Sequence, residues 1–353
     1  MSELKVNKVT PRNGTTVTLG NSGDSVAIPT GVGFNGFNFR NIIINGDMSI
    51  AQRATSASGL TTNGYYTVDR WTFRNYQGGT YTMAQTPLTS SDTPFSYGFS
   101  QSVKYDCTSI SSTERLVIHR QNIEGQNLQY LGYGTSNAKS LTISFWVKCN
   151  VTGTATINLY LPDSGEQQVQ TYTIDTANTW EKKSVTFSGN TSYIIDNNAD
   201  SGMFVSFNMS ASTEYTSGTQ PTTWTAYQQN EWATGQTIDI SANTSNEISF
   251  TGIQLEVGTT ASDFEFLPVD GNLQRCQRYY IKIVATIYGG VYGSTQSFSG
   301  GILPTKMRAS PSVSYSNVRT TTGLSFYPSE DKIQVIMTAI NGFVSGLEGD
   351  AEL

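Results

Sequence analysis

Aromatic side chains are the residues of this sequence best placed to do chemistry, and the chemistry open to them is stacking on flat ligand faces such as those of sugars. Trp146 lies in LTISFWVK on the opposite parity from Leu141, Ile143, Phe145 and Val147. Tyr160 in ATINLYL and Phe204 in MFVSFNM are likewise off the main apolar face of their strands. Side chains alternate faces along a strand, so these three decorate an outer face if their strands share a sheet. A second group, Trp224, Tyr227 and Trp232, stands among amides in QPTTWTAYQQNEWATGQ, residues 220–236. Flat rings stack on sugar faces while Asn, Asp and Gln bond the hydroxyls. Exposed tryptophans on a loop are costly unless used, so the second group reads as a receptor contact. The competing reading of the outer-face rings is that loops or a neighbouring subunit cover them. Trp71 and Trp180 are assigned to the core.

Catalytic groupings are harder to find. The sole histidine, His119, sits in RLVIHRQ and shares a strand face with Val117, so it reads as a sheet residue and not as part of a triad, which geometry must define. Neither a GxSxG elbow nor a glycine-rich phosphate loop is present. Asp163, Glu166, Glu231 and Asp239 are candidates for a glycosidase-type acid pair, which needs a separation of roughly 5–10 Å. Nothing in the sequence brings two of them together, and they read as solvated loop carboxylates. Cys107, Cys149 and Cys276 form no CxxC and offer no metal spacing. Cys107 and Cys149 are candidates for adjacent strands, and all three read as buried free thiols.

The elements that position these residues are strands. Only 14% of the 353 residues are charged, and Tyr (19) and Phe (16) are plentiful beside many Gly, Ser, Thr and Asn, which favours short strands and tight turns. A net charge of −6 with no basic cluster excludes a nucleic-acid partner. No run has the length of a membrane span, and MSELKVNKVT lacks the apolar core of a signal peptide, so synthesis in a cytoplasm without Sec export is expected. Residues 1–40 hold short β-favouring pieces (Thr15–Leu19, Ser25–Ile28) between turn signals but too few large apolar residues for a core. They read as an extended attachment and assembly segment.

Residues 41–269 read as one antiparallel β-sandwich of jelly-roll type. Asn41–Ile44 is expected as a compact buried strand ended by Asn45-Gly46. Leu141/Ile143/Phe145/Val147, Ile157/Leu159/Leu161 and Met203/Val205/Phe207/Met209 are its inward faces, and long loops are expected at 90–97 and 215–235. The last core strand begins at Glu247: Ile248 and Phe250 have one parity, Ile253, Leu255 and Val257 the other, which predicts a β-bulge at Thr251–Gly252. Phe264 and Phe266 then anchor the exit. In 270–353, a short helix capped by Asp270 and carrying Leu273, Cys276 and Tyr280 precedes a small terminal β unit. Apolar residues on both faces of that unit, such as Ile333, Val335 and Met337 against Ile336 and Ile340, call for a covering neighbour. The acidic LEGDAEL at 347–353 reads as solvated.

One ordered set of pieces resembles a known family. TGIQLEVGTTASDFE (Thr251–Glu265) is followed by LQRCQRYY (Leu273–Tyr280) and LPTKMRASPSVSYS (Leu303–Ser316), and preceded by NIIINGDMSIAQR (Asn41–Arg53) and YYTVDRW (Tyr65–Trp71). This order and spacing is similar to that of tail-fibre proteins of bacteriophages, marine cyanophages among them. The resemblance implies a sandwich like that of carbohydrate-binding modules in a homotrimeric virion fibre, docked to another virion protein through residues 1–40 and adhering to host surface glycan. It implies no catalysis and no membrane insertion. A Thr-Trp pair near Thr223–Trp224 recurs in that family, which opens a second reading of Trp224 as an inward anchor. It also raises a structural calcium near the first and last strands, with Asn45, Asp47 and Glu256 as oxygen ligands, although their spacing matches no calcium loop. Two alternatives stay open: a fibre or decoration protein that touches no receptor, and a glycan depolymerase.

Overall fold

Alternating apolar and polar residues build two sheets that close on a single core. In this computed structural model, which describes residues 39–110, 115–288, 296–318, 324–337 and 343–353, the residues from Phe39 onward form one compact unit. The strands read at Thr15–Leu19 and Ser25–Ile28 lie outside the described residues. The sandwich strands are β1 (Ser56–Leu60), β2 (Thr72–Tyr76), β3 (Thr80–Pro87), β4 (Gln101–Ser109), β5 (Leu116–Glu124), β6 (Leu141–Cys149), β7 (Gly153–Leu161), β8 (Glu166–Ile174), β9 (Glu181–Phe187), β10 (Ser201–Ala211), β11 (Thr225–Ala226) and β12 (Glu247–Val257). The first sheet runs β1-β3-β4-β12-β6-β9 and the second β11-β8-β7-β10-β5-β2. Every pairing is antiparallel.

The inner faces are those the alternation predicts. Leu141, Ile143, Phe145, Ile157, Leu159, Leu161, Met203, Val205, Phe207 and Met209 are all fully buried in the main core. Rings interlock across the layers: Phe145 meets Phe207 edge-on at 5.1 Å, and Phe73 stacks on Tyr105 at 5.7 Å. The register of β12 against β6 shifts between Thr251 and Gln254, which is the bulge. Gly252 makes it with φ +62°, and a Cβ there would collide with the Phe99 ring. Trp71 is in the core as read; Trp180 is buried, but in a smaller cluster outside the first sheet.

Several local readings are corrected. Residues 41–44 are buried but form no strand. Their backbone is satisfied one group at a time: Ile42 N–H donates to the Leu255 carbonyl, Ile43 N–H to Asn41 Oδ1 and Ile44 N–H to Gln121 Oε1. Cys107 and Cys149 are not on adjacent strands, because β12 lies between β4 and β6; all three thiols are buried and free. The helix α1 (Val269–Gln277) is capped from Pro268, and the Asp270 carboxylate accepts only from the next residue's N–H. Its Cys276 packs with Ile44, Ile50 and Tyr279.

After α1, β13 (Tyr280–Tyr288), β14 (Gln296–Ile302), β15 (Ser312–Val318), β16 (Ser325–Pro328), β17 (Lys332–Met337) and β18 (Phe343–Asp350) form two three-stranded sheets, β13-β18-β15 and β14-β17-β16. They share a core of Ile281, Leu303, Met307, Ile333, Val335, Val344 and Leu347. The side chains of Ile336 and Ile340 lie outside the described residues. The acidic end is not solvated as read. Glu352 is buried against Arg70 and Arg53, and Leu353 accepts from Tyr65 and Asn122.

Glu124 fixes the helix end to the sandwich. Its buried carboxylate accepts from Arg278 Nε and Nη2 at 2.8 and 2.7 Å and from the Tyr279 hydroxyl. Burial alone raises its pKa, but the bonds from Arg278 and Tyr279 outweigh that and hold it below the ordinary glutamate value. A depressed folded pKa stabilises the fold above the unfolded value near ~4.3 and ceases to do so as pH falls through the lower folded value. Acid unfolding of Glu124→Gln is therefore expected to show a weaker pH dependence below about pH 4 than the unaltered chain, measured by denaturant midpoints across that range.

Candidate functional site

Both long loops fold back over the outer faces of the sandwich. Over the first sheet lie residues 88–100, with a 3-10 turn at Thr93–Tyr97, and the segment after β12. Trp146 points outward as its parity requires but is buried beneath them with Leu88, Phe99, Trp180 and Phe264. Tyr97 lies 5.1 Å from its ring and is 56% exposed. Tyr97, Phe99, Trp146 and Phe264, with Lys182 and Phe266, line a groove of about 340 Å³. Trp146 is thus the floor of a groove and not an open platform. The physical reason is that alternation decides inward from outward, while only the loops decide whether outward means exposed.

The second sheet carries the richer arrangement. Its outer face presents Thr156, Asn158 and Tyr160 from β7, Phe204, Ser206 and Asn208 from β10, and Ile118 and Arg120 from β5, as the registers Tyr160↔Phe204 and Ser206↔Arg120 require. The 212–240 stretch crosses this face. Trp232 inserts into it, buried, and its indole N–H donates to Asn208 Oδ1 at 3.0 Å. Asn158 donates to the Trp232 carbonyl at 3.1 Å and Thr156 to Gln236 Oε1 at 2.8 Å. A polar sheet face covered by a loop needs partners in that loop, and these three side chains find them there, the Asn158 Oδ1 alone among them staying without one.

The three predicted loop residues divide two ways. Trp232 is an anchor and not an exposed contact, which corrects the sequence reading. Trp224 is also an anchor: its Nε1 donates to the Ser188 carbonyl at 2.7 Å and its ring packs against Tyr133 and the main core. Tyr227 stays open, 40% exposed, its ring 5.7 Å from Tyr160 and 5.9 Å from Trp232. Tyr160, Tyr227 and Trp232 therefore do converge, while Trp146 lies on the other sheet.

Beside them is a groove of about 210 Å³ lined by Tyr76, Leu116, Arg120, Tyr215, Tyr227, Gln229 and Trp232. Tyr76, 39% exposed, stands at the end of β2. Tyr76 and Arg120 are the residues that sequence reasoning missed. A usable signal existed for Arg120, a cation two residues beyond the apolar run Leu116–Ile118 and on the parity opposite His119. Burial pulls its pKa down to about 10, with no carboxylate paired to it among the described residues. Burying an unpaired charge costs several kcal/mol, about what the net stability of a domain can spare.

The catalytic candidates have surroundings of their own. His119 is sealed on the inner side, stacked on Trp71 at 4.1 Å and on Phe250 at 5.3 Å, with Nδ1 2.6 Å from the Tyr105 hydroxyl. Burial lowers its pKa well below the ordinary histidine value and keeps it neutral. Asp239 pairs with Arg115, Glu166 accepts from Asn190, and Asp163 has like charges, Asp196 and Asp200, near it. Of the calcium candidates, Asn45 Oδ1 accepts from Ile50 N–H, Asp47 from Asn272, and Glu256 from Gln254 and Ser262. Among the described residues no group of three or more His, Cys, Asp or Glu could hold a metal, and no helix is long and apolar enough to cross a membrane.

No family model matches this chain, and no curated protein does. Solved structures do. The enzymatically active domain of tailspike protein 4 of bacteriophage CBA120 is 12% identical with a TM-score of 0.34, covering 62% of this chain; the chain spans about a fifth (21%) of that protein's length. A family 11 carbohydrate-binding module from Clostridium thermocellum, in complex with a β-1,3-1,4-mixed-linked tetrasaccharide, is 11% identical with a TM-score of 0.28, over 59% of this chain and 98% of its own. A CBM22 tandem from Paenibacillus barcinonensis is 9% identical with a TM-score of 0.28, over 86% and 100%.

Proposed function

We propose that this chain is a non-enzymatic adhesin, a fibre protein of a phage virion that holds host surface glycan in the groove beside Tyr227. The observation that carries the reading is the groove: two half-exposed tyrosine rings, Tyr76 and Tyr227, stand at a floor made by Trp232, with amide and guanidinium donors of Gln229 and Arg120 alongside. Rings for sugar faces and N–H donors for hydroxyls are what a saccharide site needs. The resemblance of the chain to phage tail fibres supports the virion location, homotrimeric assembly and docking to another virion protein through residues 1–40. In such a trimer the sites repeat, so modest affinity per groove suffices by avidity. A sealed His119 supports binding over Ser–His hydrolysis.

Tyr227→Ala is expected to weaken binding of the full-length chain to host cells about tenfold, close to 1.4 kcal/mol, while its thermal midpoint shifts little because the ring is half outside. Tyr97→Ala, on the first sheet's groove, is the control and should bind normally. Loss with Tyr97→Ala alone would move the site to that groove. Binding unaltered by both changes would place the site outside the two grooves, and no binding at all would favour a purely structural fibre.

A further inference from the structure

We infer that the groove beside Tyr227 selects sugars bearing a carboxylate, and that Arg120 is the residue that recognises the charge. The inference rests on the glycan-binding reading above and sharpens it. Arg120 is 7% exposed, yet it lines the groove. Its Nε donates to Ser206 Oγ at 3.0 Å, and its guanidinium carbon lies 4.7 Å from the Phe204 ring centre and 5.5 Å from that of Trp232. One hydrogen bond and two rings therefore set the plane of the guanidinium. The Nη groups, which carry the remaining four N–H donors of any arginine, take part in no hydrogen bond or ion pair among the described residues.

Three other arginines of this fold are ion-paired. Arg70 meets Glu352, Arg53 meets Asp350 and Arg278 meets Glu124. Around Arg120 the charge is instead reinforced. Arg74 lies on the same outer face, two residues beyond Arg120's cross-strand partner Thr72, and among the described residues it too has no ion pair; its Nε is buried without an acceptor. The carboxylate that reaches the groove lining, Glu214, is engaged by Gln229. Other titratable groups near Arg120 are the phenols of Tyr65, Tyr76 and Tyr160, with those of Tyr215 and Tyr227 lining the same groove. Two cations with no ion-paired acid among the described residues, on an otherwise acidic protein, form a local anion site and not a general attraction.

The shape favours a carboxylate. With Nε taken by Ser206, the two Nη groups present a planar fork, the geometry that a carboxylate fills with two parallel bonds. The flanking rings of Tyr76 and Tyr227 then take the sugar ring. A volume of about 210 Å³ is below the ~300–1,000 Å³ of pockets for drug-sized ligands and suits one ring, such as a terminal uronic acid.

The test is calorimetric titration of the full chain with a glucuronate-terminated oligosaccharide, its methyl ester, its carboxyl-reduced neutral form and a sulfate-ester counterpart. The acid is expected to bind about 10–100-fold more tightly than the ester or the neutral form, the range of a charge-assisted hydrogen-bonded pair. Within Arg120→Met the acid and the neutral form should bind alike, whatever the affinity both retain, and Arg120→Lys should restore part of the preference. The acid-to-ester comparison on the unaltered chain needs no variant, so it stands even if Arg120→Met fails to fold. Equal binding of acid and neutral forms, both weakened by Tyr227→Ala, would overturn the charge selectivity and leave the groove. Binding of none would overturn the groove itself, and preference for the sulfate ester would overturn the carboxylate assignment.

Discussion

Trp232→Ala is expected to cost about 3–5 kcal/mol of folding stability, the range for removing a buried large aromatic. Chemical denaturation of the full-length chain measures it. The indole packs on Tyr160, Tyr227 and Arg120, and its N–H satisfies Asn208. Its loss opens a cavity and strands a buried amide oxygen. The backbone carbonyl of the same residue satisfies Asn158, so loosening the loop also exposes β7. Cell binding by this variant would fall because the groove loses its floor, which is why Tyr227→Ala and not Trp232→Ala tests adhesion. A change below about 1 kcal/mol would mean that the loop does not seat on the sheet as described.

The second large effect is expected from Glu352→Ala, a loss of about 3–5 kcal/mol from leaving a buried cation without its counter-charge. Arg70 is 1% exposed and stacks on Tyr279 at 3.4 Å, donates to the Asn122 carbonyl at 2.6 Å and meets Glu352. Burial works against its charge, but Glu352 and neighbouring groups outweigh that and hold its pKa above the ordinary arginine value. Arg53 also reaches Glu352, at 3.4 Å. Replacing both members of the main pair, Arg70→Met with Glu352→Leu, should recover much of the loss, since a well-packed apolar pair costs less than half an ion pair. Denaturant midpoints of the two single variants and the double variant decide it. If Glu352→Ala were neutral, the acidic end would be solvated after all.

These two effects also mark where reading the sequence stops. The inward faces of β6, β7 and β10 and the bulge of β12 follow from parity, which is a local property. Trp232 and Trp146 were legible as off the core face, but not as covered, because the cover comes from loops whose path no periodicity records. Ile42, Ile43 and Ile44 look like a strand by composition, yet their partners are single groups such as the Gln121 side chain. The Arg70–Glu352 pair spans 282 positions, and no local pattern links its members. Arg120 was visible as a charge in an apolar strand, but its meaning depends on the absence of an acid across neighbouring strands. The tail-fibre resemblance pointed to a sandwich, and a sandwich is what forms; the assembly it also implies involves residues 1–40.

The position of β12 has a consequence for how the protein is made. It is the last strand of the sandwich in sequence, yet it lies between β4 and β6 in the first sheet. As the chain leaves the ribosome, β4 and β6 each wait with an unpaired edge while roughly a hundred further residues emerge, some 5–20 s at ordinary rates of synthesis. During that interval the two half-sheets cannot join, and their open edges are templates for the wrong strand. Lys104 and Asp106 on one edge and Lys148 on the other put charge where such pairing would begin, and Lys104 is later claimed by Glu247 as β12 docks. Adhesion aside, the sequence of this sheet is also shaped by having to wait.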